Sequence, residues 1–197
     1  MAMPKGINRQ VRLVIAFLLV VAAAYIAGVP LPSPFSDATK EAPASIDSNM
    51  WYPLVRVSDG DTIVINIDGA NVPVRLIGID SPELDSSYTK EQCFGKESSA
   101  EAKKILGVGQ VRLETDSSQD MYDQYDRLLT YVYVPANVQP EGIMLNAYMV
   151  SEGFAREYTY KKPYAHQASF KAHEEQAREQ KKGLWGTCLP AQAGSSQ

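Results

Sequence analysis

The 197-residue chain holds two histidines, two cysteines and no surplus of positive charge. Each shortage removes a class of protein. His166 and His173 stand seven residues apart on a helical pattern and share a face, but the run from His173 has Ala177 where a helical zinc protease needs its second histidine. Both read as solvated helix residues. Lys and Arg total 19 against 23 Asp and Glu, a net charge of −4. Residues 1–44 hold Lys5, Arg9, Arg12 and Lys40 against Asp37 and Glu41, a net of +2, which leaves −6 for residues 45–197. That is not a basic glove for nucleic acid. The chain has no internal repeat and sustains no strand–helix–strand alternation, so neither a repeat array nor a parallel sheet is expected.

There is one long apolar run, the uncharged stretch from Leu13 to Val29. A basic segment, 1–12, precedes it, and Pro30 and Pro32 close it. It is an export signal or a membrane anchor, and it just reaches the lower limit of a spanning helix, roughly 17 to 25 residues. A cut after Ala22–Ala24 would leave Tyr25 and Ile26 on the mature chain, which favours the uncleaved anchor. In either case the basic end stays inside, and the rest is membrane-anchored facing outside the cytoplasm, or secreted. Residues 30–50, rich in Pro, Ser and Ala, form a flexible linker. The folded domain spans 51–188, and 189–197 is a disordered tail. Cys93 and Cys188 suit an oxidising compartment, where one bridge would tie the middle of the domain to its end. The chain-entropy model gives such a loop roughly 4–5 kcal/mol at most. The alternative is two unpaired thiols.

Within the domain, three short strands are expected over 52–58, 61–68 and 71–80, with Asp68-Gly69 as the hairpin turn between the second and third. A helix over 95–107 ends at Gly107, and strands follow over 110–116 and 126–134. Residues 141–153 read as a second helix. A long third one starts at Pro163, carries Lys181 and Lys182 in its last turn and stops at Gly183. The class is α+β: a five-stranded OB-type β-barrel with three helices, preceded by an N-terminal hydrophobic helix.

The chemistry concentrates in two turns, Ser58–Thr62 ("SDGDT") and Ile79–Glu83 ("IDSPE"). Each follows an odd-numbered strand, so a meander places both at the same end of the sheet, and Asp59 or Asp61 approaches Asp80 and Glu83. Val72, Val74, Leu76 and Gly78 form one row of the third strand and Arg75, Ile77 and Ile79 the other, so Arg75 shares an apolar face. Pro82 ends the strand. Clustered carboxylates repel unless they take up protons or a cation, and oxygen donors suit a hard ion such as calcium.

These stretches, with "DQYDRLLTYVY" (123–133) and "SEGFAREYTY" (151–160), resemble the micrococcal nuclease, or thermonuclease, family over about Val55 to Trp185. The resemblance implies a calcium-dependent phosphodiesterase on an OB barrel, cutting DNA and RNA with low sequence preference. It implies that Asp61, Asp80 and the carbonyl of Ser81 hold Ca2+, and that Glu83 activates water. Arg75 and Arg127 would bind the phosphate, with Tyr125 near a terminal phosphate and Tyr158 or Tyr160 against the nucleoside. The chemistry asks for the same residue types independently. Phosphodiester hydrolysis builds negative charge that guanidinium forks and a metal stabilise while a carboxylate handles the water. Two carboxylates and a carbonyl leave room for water or substrate on the ion, so weak calcium binding is expected.

One position departs from the family, which usually reads Tyr-Gly-Arg where this chain has Tyr125-Asp126-Arg127. Asp tolerates the positive φ that a glycine serves, but Asp126 is expected to pair with Arg127 or Arg75, or else to face solvent. The expected partners are a DNA or RNA substrate and, through an uncleaved N-terminal helix, a membrane; the domain is expected to be a monomer. The rival to a nuclease is a non-catalytic OB module that binds nucleic acid or a protein at the cell envelope. The acidic balance supports that module, and the retained Glu83 argues against it.

Overall fold

The computed structural model describes residues 46–188 apart from 88, 137 and 138. The apolar run over 13–29, most of the linker and the tail over 189–197 lie outside the described residues. In chain order the elements are β1 (Trp51–Val57), β2 (Thr62–Ile67), β3 (Ala70–Leu76), β4 (Ile79–Asp80), α1 (Gly95–Ile105), a single 3-10 turn (Leu106–Val108), β5 (Gln110–Glu114) and β6 (Leu128–Ala136). β7 (Gln139–Met144), α2 (Leu145–Ser151), β8 (Arg156–Glu157), α3 (Gln167–Glu179) and α4 (Leu184–Thr187) complete the set. No helix among the described residues is long and apolar enough to cross a membrane.

Asp68 and Gly69, at φ 50 and 80, join β2 to β3 as a two-residue loop whose twist matches that of the strands. β1 pairs antiparallel with β2 and β5, β2 with β3, and β5 with β6. A parallel seam between β3 and β6, with Val74 opposite Leu128, Arg75 opposite Leu129 and Leu76 opposite Thr130, closes the ring. The five strands β1, β2, β3, β6 and β5 therefore form a closed barrel of the OB type, which removes the edges an open sheet would expose. Alternation fills it: Ile63, Ile65, Val74, Leu76, Val111, Leu113, Leu128 and Val132 are all buried in one core.

Three expectations change. The third strand does not run on to Asp80. Gly78, at φ 78, breaks it after Leu76, and Ile79–Asp80 re-form as β4 against β8, with Asp80 opposite Arg156. Residues 141–144 are not helical, because β7 pairs with the outer part of β6, Val134 opposite Ile143. That pairing satisfies backbone groups of both segments and overrides a locally helical pattern. The last long helix begins at Gln167, not Pro163: the Gln167 N–H closes a separate turn on the Tyr164 carbonyl at 3.1 Å, and the Phe170 N–H reaches the His166 carbonyl at 3.0 Å, while the Ala165 N–H donates to Asp116 Oδ2 at 2.8 Å. Its C-terminal extension is a separate short helix, α4, whose Leu184 N–H donates to the Gly153 carbonyl at 2.9 Å.

Two links connect these layers. Asn146 on α2, fully buried, donates to the Ile77 carbonyl at 2.8 Å and accepts the Val132 N–H at 2.9 Å, so it fills the gap that the β3 break leaves. Cys93 and Cys188 are bridged, with Cα atoms 5.9 Å apart, and join the segment before α1 to the end of α4.

Candidate active site

The turn between β1 and β2 is built by Asp59. Its Oδ1 accepts the N–H groups of Asp61 at 3.0 Å and of Thr62 at 2.7 Å. This local hydrogen bonding turns Asp61 inward, where it is 6 % exposed. Of the two candidates in the turn, Asp61 makes the long-range contacts. Its Oδ2 accepts the Ser81 N–H at 2.7 Å and lies 3.1 Å from Arg75 Nη2, while its Oδ1 accepts the Thr62 hydroxyl at 3.0 Å. Gly60 is needed for close approach: a Cβ there would stand 2.7 Å from Ser81 Cβ and 2.1 Å from the Ser98 hydroxyl on α1. The two turns and the start of α1 thus meet at one point.

Arg75 Nη2 also lies 3.4 Å from Asp80 Oδ1, so one guanidinium nitrogen is flanked by both carboxylates. Its Nη1 donates to the carbonyls of Leu76 at 3.0 Å and Ile79 at 2.8 Å, which fixes the fork across the strand break. On the other side of Asp80, Arg156 Nη1 lies 3.7 Å from Oδ2, and Arg156 is buried. Arg156, an arginine on a two-residue strand that pairs with the motif, was not singled out by pattern or spacing.

Glu83 is exposed in the same cleft. The electrostatics are those of crowded anions. Burial, then the Asp61 charge, pushes the Asp59 carboxyl up to about 7. Burial and then Asp61 raise Asp80, with Arg75 and Arg156 opposing. Partial desolvation, then Asp61 and Asp80, raises Glu83 against the pull of Arg75 and Arg127. Asp61 and Asp80 offer hard oxygen donors to a cation, with Ser81 buried beside Asp61. Among the described residues no group of three or more His, Cys, Asp or Glu side chains could hold a metal ion.

Arg127 is held by Asp123, not by Asp126. Its Nε donates to Asp123 Oδ2 at 2.7 Å, and its Nη1 reaches the Thr62 hydroxyl at 3.5 Å. Asp123 Oδ1 meanwhile accepts the N–H groups of Tyr125 at 2.9 Å and Arg127 at 3.0 Å, so one carboxylate builds the turn and orients the guanidinium. Asp126 is exposed and sits at φ 58. Of the two expectations for Asp126 the solvent-facing one holds, and Arg127 is paired instead with the acid four residues before it, a spacing visible in the sequence.

Tyr125 is 69 % exposed, with the Arg127 guanidinium 5.3 Å from its ring centre. Tyr158 and Tyr160 are exposed as a tilted pair with ring centres 6.3 Å apart, and Lys161 Nζ lies 4.9 Å over Tyr160. A cleft of about 950 Å³ takes in Asp61, Arg75, Asp80, Glu83 and Arg127 together with these three tyrosines. Its wall also includes Thr89–Gln92, which sequence reasoning passed over.

Residues 73–187 match the family model described as staphylococcal nuclease homologue. Thermonuclease of Staphylococcus hyicus is 34 % identical over 168 residues, 85 % of this chain and 94 % of that protein. Thermonuclease of Staphylococcus intermedius is 35 % identical over 134 residues, 68 % of this chain and 75 % of that protein. Micrococcal nuclease of Shigella flexneri is 35 % identical over 136 residues, 67 % and 71 % of the respective chains. The chain therefore belongs to the staphylococcal nuclease homologue family.

Proposed function

We propose that the chain is an exported, calcium-dependent nuclease that hydrolyses phosphodiester bonds of DNA, RNA or both with low sequence specificity. The observation that carries this proposal is one cleft holding a carboxylate pair, a separate exposed carboxylate and two arginines. Relatives named thermonuclease and micrococcal nuclease support the nuclease reading. The basic segment and apolar run at the N-terminus support export.

In this mechanism Asp61, Asp80 and the Ser81 carbonyl would hold the ion, which when bound would supply Lewis-acid charge. Glu83 takes a proton from water as the water oxygen bonds to phosphorus, and its raised carboxyl makes it a stronger base than an ordinary glutamate. The phosphorus–oxygen ester bond breaks on the far side, and the leaving oxygen takes up a proton. Arg75 and Arg127 present guanidinium forks to the charge that develops on the phosphoryl group, where planar bidentate donors serve better than lysine. Asp123 keeps Arg127 oriented before substrate arrives, so that order is not lost at the moment of reaction. Tyr125 lies beside the phosphate, and Tyr158 or Tyr160 stacks on the base, a contact that tolerates any sequence.

The test is incubation of the protein with single-stranded DNA, duplex DNA and RNA, with calcium or with chelator, followed by identification of the ends produced. Cleavage that needs calcium supports the proposal. Full cleavage in chelator overturns the mechanism, and binding without cleavage overturns the assignment as an enzyme.

A further inference from the structure

Glu83 opens a polar loop that closes back on its own first residue. The Gln92 N–H donates to the Glu83 carbonyl at 2.9 Å, and the Glu83 N–H donates to Gln92 Oε1 at 3.1 Å. One residue therefore engages both backbone hydrogen-bonding groups of Glu83. A third contact backs this clamp. The Gly95 N–H donates to the Gln92 carbonyl at 3.1 Å, and a Cβ at Gly95 would stand 2.4 Å from the Glu83 carbonyl oxygen. Only a glycine lets the start of α1 lie so close behind Glu83.

Gln92 is itself anchored from its C-terminal side. Cys93 is bridged to Cys188 beyond α4, and Phe94, at φ 73, stacks on Phe154 with ring centres 5.6 Å apart. Between the clamp's two ends, residues 85–87 and 89–91 are exposed and held by short local bonds such as the Ser86 N–H to the Thr89 carbonyl at 2.9 Å. We propose that Gln92 is the positioning residue for Glu83 and that the Cys93–Cys188 bridge holds Gln92 in place, so the bridge acts on catalysis as well as on stability. This inference rests on the assignment of Glu83 as the group that activates water.

The consequence is that the effect of Gln92 on the rate is carried through Glu83, which a double-mutant cycle isolates. The oxidised full-length protein is assayed as parent, Gln92→Ala, Gln92→Glu, Glu83→Gln and the Gln92→Ala, Glu83→Gln double variant. Calcium and nucleotide binding are measured by calorimetry beside kcat and KM. Gln92→Ala is expected to lower kcat by about 10- to 100-fold, the scale of a small misplacement of a reacting group. KM and calcium affinity should stay within about twofold, since a misplaced Glu83 acts on the chemical step rather than on binding. Gln92→Glu keeps an acceptor at the same reach and should recover most of the rate. In the Glu83→Gln background, Gln92→Ala should cost nothing further.

An equal loss from Gln92→Ala in both backgrounds marks a general structural role and overturns the proposal. A parental rate for Gln92→Ala beside a slow Glu83→Gln overturns it too, while leaving the role of Glu83 intact. A parental rate for Glu83→Gln instead overturns the assignment of Glu83 on which the inference rests. If Gln92→Ala does not fold, reduction of the bridge to two thiols by a dithiol carries the same comparison: kcat must fall in the parent and not in Glu83→Gln, and equal falls refute the proposal.

Discussion

Replacing Asp116 tests whether the fold beneath the cleft carries a buried charge. Asp116 follows β5 and is 9 % exposed. Its Oδ2 accepts the Tyr131 hydroxyl at 2.6 Å and the Ala165 N–H at 2.8 Å, and its Oδ1 accepts the Ser118 N–H at 2.8 Å. It thereby ties β6 to the segment that leads into α3. Burial alone would raise this carboxyl, but the three donors outweigh it and hold the group at about 2, against an ordinary 3.8. At about 1.4 kcal/mol per pH unit, that depression is worth about 2.5 kcal/mol. The folded value lies below the unfolded one, so this stability is complete above about pH 4 and drains away as pH falls toward 2. Asp116→Asn removes the titration and sets an amide N–H against at least one of the three donors, so it should cost about 2 kcal/mol at pH 7. The gap between parent and variant should narrow below pH 4, as the parent loses what the variant never had. Urea unfolding of both proteins at pH 7, 4, 3 and 2 reads the difference. A gap that stays constant across that range would refute the argument, because the Asp116 carboxyl would then titrate alike in the folded and unfolded chains.

Other substitutions bear on the cleft directly. Glu83→Gln should keep the fold and nucleotide binding while losing about 10² to 10⁴ in rate, the scale of a general base, and a rate within a few-fold of the parent would reduce Glu83 to a loop residue. Asp123→Asn keeps an acceptor for the two turn N–H groups but takes the charge from Arg127. It should lower kcat by about tenfold with little change in unfolding midpoint, and an increase in rate would mean that Asp123 competes with substrate instead of orienting the arginine. Asp126→Gly should leave kcat unchanged, since the side chain is exposed, and should move stability by less than about 1 kcal/mol. Relief of the left-handed φ is offset there by a freer unfolded chain. A rate gain shared by Asp126→Asn would restore a role for that charge.

The parts legible in the sequence are those set by neighbours along the chain. Asp68-Gly69 announced its hairpin, alternation around Val72, Val74 and Leu76 announced the inward face of β3, and the two acidic turns lie together because each follows an odd strand. What escaped was decided at long range. Residues 141–144 look helical until β6 offers them a partner, and 163–166 read as a first helical turn but form a separate one, tied to Asp116, 49 residues earlier, through the Ala165 N–H. For Asp126 the solvent-facing alternative holds, and the partner of Arg127 is Asp123, because the tight turn brings residues four apart into contact.

The parallel seam between β3 and β6 joins segments about fifty residues apart, and it carries Arg75 on one side and, one position before its first pair, Arg127 on the other. Contacts of such separation form late when a chain refolds, since the intervening loop must first be ordered. A refolding molecule with its hairpins made but its seam open has most of its secondary structure and no paired guanidinium groups. Recovery of turnover should thus lag behind recovery of far-ultraviolet dichroism, and the delay would time the closing of the ring. The same geometry means that opening of the seam would part the strand that carries Arg75 from the one that Arg127 leads into.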